Sequence, residues 1–265
     1  MSTTTLDLKT ETSARRGFFS SSVFIWLTLV GYLLLVKTVI LPLLPPLEID
    51  TVAMIFAWGN IVIFSLVGLA GVWLADRTGF MPALDPRVSN RQRYLIPLLI
   101  GGIIGTLALL LDLMTQSSQR LAELMGESSF NTDFPASLFV YTGGTVLIEA
   151  IFRLFIFPAL LGLISYVILK KRWQEQIFWG LAILLSLLEP LGQFSGQLGY
   201  APSADPLQFF LAFSYPYFVV NYILALSQAY VFRTYGFLAS FTLRIGYYII
   251  WHIVYGSLIF PLLNN

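Results

Sequence analysis

The stretch TVLIEAIFRLFIFP, residues 145–158, sets a glutamate and an arginine four positions apart inside an otherwise apolar run. It belongs to a longer apolar segment, Ser137–Leu169. As one helix, its ~33 residues would span ~50 Å against a hydrocarbon core of ~30 Å. Pro158 therefore predicts a kink, or a split into a second half-helix. Six further runs approach membrane-spanning length: Ser22–Leu44, Thr51–Leu74, Tyr94–Met114, Phe178–Phe194, Leu207–Phe232 and Gly236–Leu263. The expected fold is all-α, a polytopic transmembrane bundle of seven segments, or eight if the fourth divides.

Composition agrees with that reading. The 265 residues are 57% hydrophobic and only 11% charged, with a mean hydropathy of +0.79. A chain of this kind satisfies its backbone hydrogen bonds within each helix and packs the helices side by side in lipid. Membrane lipids are thus its expected surroundings, and a net charge of +1 gives no footing for a nucleic-acid partner. The absence of cysteine excludes disulfides, thiolate catalysis and cysteine metal sites. No repeat or second domain is visible. Residues 1–21 read as a polar, disordered tail and 22–263 as a single membrane domain. ARRGFF, residues 14–19, has the twin-arginine pattern of an export signal, but no small-residue cleavage site follows, so the pair reads as topology-setting charge.

Basic residues set the expected orientation. Lys9, Arg15, Arg16, Arg77, Arg87, Arg91, Arg93, Lys170, Lys171, Arg172 and Arg233 share one side if there are seven crossings, leaving Arg120 on the other. The N-terminus is expected in the cytoplasm of a prokaryotic plasma membrane and the C-terminus outside. Between the third and fourth segments, Leu121, Leu124 and Met125 are spaced for a short amphipathic helix on the outer surface.

Ionisable groups inside such segments normally face a partner or a wet cavity. Glu149 and Arg153 share a helix face, with spacing suited to an ion pair within the turn. The fifth segment carries Glu189 and Gln193, with Pro190 between them; the seventh carries Arg244, Tyr248 and His252 in steps of four. Asn221 and Gln228 lie on the sixth and Asn60 on the second. Facing one another, these residues would line a polar chamber. Gly101, Gly102, Gly105, Gly143 and Gly144 read as sites of close helix packing.

IEAIFR, residues 148–153, resembles the first motif of the CPBP family, the CAAX-type prenyl endopeptidases and bacteriocin-processing proteins, in which two glutamates precede an arginine as Glu-Glu-x-x-x-Arg. The likeness covers residues 79–260, led in by ADRTGFMPALDP. It implies a helical intramembrane endopeptidase in which the first glutamate activates water, two histidines assist and an asparagine stabilises the oxyanion.

Several positions depart from that pattern. Ile148 replaces the first glutamate, and Glu149 matches the second. Glu189 and Gln193 stand where the second motif has phenylalanine and histidine. In the third, either Arg244 and Tyr248 or His252 and Gly256 fill the motif, and His252 is the chain's one histidine. The expected function is a CPBP-related protein with lost or strongly altered peptidase activity that binds a membrane-embedded or lipidated partner in its polar intramembrane chamber. The alternatives are an active endopeptidase with Glu149 as general base, paired with Glu189 and relayed through His252, and a transporter or lipid-binding protein. Glu149, Glu189 and His252 match a two-carboxylate, one-histidine metal set in type alone, and no metal or other cofactor is expected.

Overall fold

The computed structural model describes residues 21–45, 55–125, 132–199 and 205–264. The tail with its twin arginines lies outside them, as do the tip of the loop after the short amphipathic helix and the segment between the fifth and sixth helices. Among the described residues there is no strand. Long helices follow in order: α1 (Ser21–Leu43), α2 (Trp58–Arg77), α3 (Arg91–Thr115), α4 (Ala136–Ile168), α5 (Gln174–Leu198), α6 (residues 206–235) and α7 (Phe237–Leu263). The expected short helix is present at Ser117–Met125.

Six of these, all but α6, are long and apolar enough to cross a membrane. The chain is an integral membrane protein by that measure. The remaining one, the sixth expected segment, is helical too, but its composition is diluted by Ser214, Asn221 and Gln228, all buried. Contacts at the helix ends show that α6 runs the full length of the bundle. Near its start, Ser214 donates to Gln197 at the end of α5 (2.8 Å); at its finish, Arg233 donates to the carbonyls of Thr78 and Gly79 beyond α2 (3.3 and 3.2 Å).

The same contacts gather the basic connections at one end. Ser22 at the start of α1 accepts from the Ala83 amide, and Gln174 at the start of α5 donates to Thr78 and to Tyr166 near the end of α4. Residues 78–90 form the hub of this end. Arg87 clamps the buried Asp85 carboxylate with Nε and Nη2 at 2.9 and 2.6 Å, while Arg93 donates to the Asp85 and Val88 carbonyls. The hydrogen bonds and charge of Arg87 hold the Asp85 carboxyl below its ordinary value. Below the hub, Phe80 stacks on Phe232 at 4.3 Å and meets Phe157 and Phe178 edge-on. Arg233 lies over Phe80 and Phe178.

Glycine sets the closest helix contacts. A Cβ at Gly101 of α3 would stand 1.9 Å from the Leu243 carbonyl oxygen on α7, and one at Gly246 would stand 2.2 Å from that of Leu98. These two helices therefore meet backbone to backbone. Gly68 likewise admits the Trp26 ring, whose indole N–H reaches the Ser65 carbonyl at 3.0 Å. Gly102 and Gly144, expected to do the same, leave ordinary contact distance at 4.0 and 3.5 Å.

Prolines shape the helices in a repeated way. Pro42, Pro97, Pro158, Pro216 and Pro261 each stand two residues beyond a π-helical stretch: Val36–Ile40, Arg91–Leu95, Glu149–Ile156, Phe210–Ser214 and Ile249–Ile259. In each case the residue before proline donates to the carbonyl five positions back, as Phe157 does to Phe152. The wider turn relieves the clash between the pyrrolidine ring and the carbonyl four positions back. The expected split of α4 at Pro158 therefore does not occur. The helix continues through a π turn instead. In α5 the interruption comes before Pro190, where Ser186 and Leu187 separate helical stretches Gln174–Leu185 and Leu188–Leu198.

Candidate functional site

The π stretch imposed ahead of Pro158 holds both Glu149 and Arg153, and so determines where the two charges of the quoted segment point. The expected ion pair within the turn is absent. In the wider turn the two side chains leave α-helical register, and Arg153 reaches across to Glu189 on α5 at 2.9 Å. Its Nη2 also donates to the Ala225 carbonyl (3.2 Å) and to Gln228 (3.3 Å) on α6, while its Nε has no partner among the described residues.

Arg244 of α7 joins the two carboxylates. Its Nε lies 3.0 Å from Glu149 and its Nη2 2.5 Å from Glu189 and 2.8 Å from Gln228. Its Nη1 reaches the Tyr248 hydroxyl at 3.4 Å. Gln228 is the hub of the arrangement: its amide oxygen accepts from both arginines, and its amide nitrogen donates to Glu149 at 2.5 Å and to the Ser240 carbonyl at 3.3 Å. The Ser240 hydroxyl completes the set by donating to the second Glu149 oxygen at 2.6 Å. Two guanidinium groups thus face two carboxylates, and four helices, α4 to α7, are tied at one level.

Glu149, Arg153 and Arg244 are all at most 3% exposed, Gln228 and Ser240 are at 0%, and the Glu189 side chain is at 10%. The polar faces meet as expected, and the space between them is filled by their own side chains. Charges buried to this depth are tolerated when paired and hydrogen-bonded, as these are.

His252 stands apart from this cluster. It lies eight residues beyond Arg244, about two turns and ~12 Å along the helix, where its ring stacks on Tyr141 at 4.0 Å and meets Tyr248 edge-on at 4.8 Å. Tyr248 is the link between the histidine and the charges. A relay from His252 to Glu149 has no direct contact to use. No three histidine, aspartate or glutamate side chains among the described residues come close enough to hold a metal.

From Glu189 a polar ladder continues along α5. Gln193 accepts from Asn221 at 2.6 Å and Gln197 accepts from Ser214 at 2.8 Å, so the two residues that follow Glu189 in steps of four bond to α6. Gln193, Gly192 and Gly196 are exposed, and a Cβ at either glycine would meet no atom within 4 Å.

Sequence reasoning passed over Ser240 and gave Gln228 no central part. It also missed Asp112, only 2% exposed near the end of α3, which takes hydrogen bonds from the Ser118 amide (2.8 Å) and from the hydroxyls of Tyr217 and Tyr255. The available signal was an acidic residue closing the apolar run LALLLD, residues 107–112.

Fold and cluster together define a polytopic helical membrane protein with a neutralised charge cluster at its centre. Compared with models of known protein families, with curated proteins and with solved structures, the chain matches none.

Proposed function

We propose that the protein is a CPBP-related integral membrane protein without peptidase activity, which holds a membrane-embedded or lipidated partner against α5. The observation that carries this reading is the enclosure of Glu149, which is 2% exposed. A general base must reach a water molecule and a substrate, whereas Glu149 accepts from Arg244, Gln228 and Ser240 and is sealed by them. Paired with a cation in a packed site, the carboxylate serves as a helix-to-helix lock.

The exposed part of α5 supports partner binding. An amide in lipid favours a polar neighbour, and small residues allow a second helix to approach. Gln193 with Gly192 and Gly196 supplies both features on one face. We place the basic end of the bundle in the cytoplasm, following the positive-inside rule.

The reading is tested by assaying peptide release from prenylated and transmembrane peptides while a photo-crosslinker at Gln193 reports association. Crosslinks without release support the proposal. Release by the wild type, abolished in a Glu149→Gln variant that keeps wild-type thermal stability, would establish instead an endopeptidase with Glu149 as its base.

A further inference from the structure

A second buried carboxylate differs from Glu149 in two respects: it lacks a cationic partner and it borders open space. Among the described residues no lysine or arginine pairs with Asp112. Its three donors, Ser118 N–H and the Tyr217 and Tyr255 hydroxyls, are neutral. Ser118 belongs to the first turn of the helix Ser117–Met125, whose N-terminus offsets part of the negative charge. A carboxylate has about four acceptor positions, so Oδ2, which takes the Tyr255 hydroxyl alone, retains one.

Asp112 lines a cleft of about 250 Å³ together with Leu113, Gln116, Gln119, Tyr255, Phe260 and Leu263. The cleft lies at the end of the bundle opposite the basic hub, where α3 turns at Gln116 and α7 finishes. Its lining combines a carboxylate and two amides with the apolar Leu113, Leu263 and Phe260. The Tyr255 ring, stacked on Trp251 at 5.2 Å, adds an aromatic face. A carboxylate beside an aromatic ring attracts an ammonium group, and the apolar residues suit a hydrocarbon chain. The volume falls below that of usual drug-sized pockets, so it fits a headgroup rather than an entire lipid.

We propose that this cleft binds the primary ammonium head of a membrane amphiphile, with Asp112 as counter-ion, Gln116 and Gln119 beside the polar linker and Leu113 and Leu263 along the chain. Ligand binding here is separate from any partner on α5.

The test is native mass spectrometry of the full chain released from vesicles containing phosphatidylethanolamine and phosphatidylcholine in equal parts. Wild type should retain phosphatidylethanolamine selectively, Asp112→Asn should retain about tenfold less, and phosphatidylcholine should be unaffected. Dodecylammonium should compete and dodecanol should not. Binding of dodecylammonium without phosphatidylethanolamine would also uphold the ammonium site but assign it to single-chain amines. Leu263→Trp, which fills the cleft without touching the carboxylate, should abolish retention and decides the matter if Asp112→Asn fails to fold. Equal retention of both lipids by wild type with no binding of dodecylammonium, or undiminished ammonium binding in Leu263→Trp, would overturn the proposal.

Discussion

Arg153 pairs with Glu189, 36 residues away on another helix, at 2.9 Å. Glu149, one turn behind on its own helix, is taken by Arg244 instead. Each arginine thus ties separate helices together, and the cluster reads as a fastening across α4 to α7.

Removing Arg153 should expose that fastening. Arg153→Leu leaves one carboxylate without a counter-charge and is expected to destabilise the protein by about 3–5 kcal/mol. Adding Glu189→Leu should recover most of the loss, since the remaining Glu149–Arg244 pair is neutral. Adding Glu149→Leu should recover less, because it strands Gln228 and Ser240. Thermal unfolding in detergent ranks the three variants, and an equal recovery by both doubles would reject the observed pairing.

Packing between α3 and α7 makes a graded prediction. Gly101→Ala and Gly246→Ala drive a methyl group into backbone oxygens at 1.9 and 2.2 Å and should each destabilise by about 1–3 kcal/mol. Gly102→Ala, with its nearest neighbour at 4.0 Å, should be close to neutral in the same unfolding assay.

Acid should loosen the hub at the basic end. The folded-state pKa of Asp85 is depressed, so its contribution is present above the ordinary value of 3.8 and is lost as pH falls through the lower folded value. Wild type should therefore exceed Asp85→Asn in melting temperature at neutral pH, and the gap should narrow below pH 3.8. A gap that stays constant through this range would remove Asp85 from the acid response.

The path of α5 predicts topology. Its start hydrogen-bonds near Thr78 and its end near Ser214, at opposite ends of the bundle. Reporters inserted after Ser89 and after Gly199 should read opposite sides of the membrane, the first cytoplasmic. Readings on the same side would contradict the crossing.

Much of the fold was legible from sequence because apolar length alone marks a membrane helix. That held even for α6, read as the run Leu207–Phe232, although its inward polar residues keep it off the set of helices apolar enough to cross a membrane on composition alone. The charged residues were visible for the same reason, as interruptions in LIEAIFRLF. That the two glutamates share Arg153 and Arg244 was also legible, from two charges of each sign on neighbouring segments; which glutamate takes Arg153 was not, since that depends on the π turn ahead of Pro158 and on Gln228, neither of which alters helical periodicity enough to be read. Asp112 illustrates the harder case: its partners Tyr217 and Tyr255 are 105 and 143 residues distant, and only the folded bundle brings them together. His252 invited a catalytic reading through its spacing from Arg244, but two turns of helix put it in a different layer.

The central claim, that Glu149 is a neutralised lock rather than a spare base, is tested most directly by the thermal stability of Glu149→Gln. The substitution keeps size and hydrogen-bonding capacity but leaves the buried arginines with one excess positive charge. A loss of about 3–5 kcal/mol is expected. Unchanged stability would contradict the account, because a carboxylate that can lose its charge without disturbing the fold is free for chemistry.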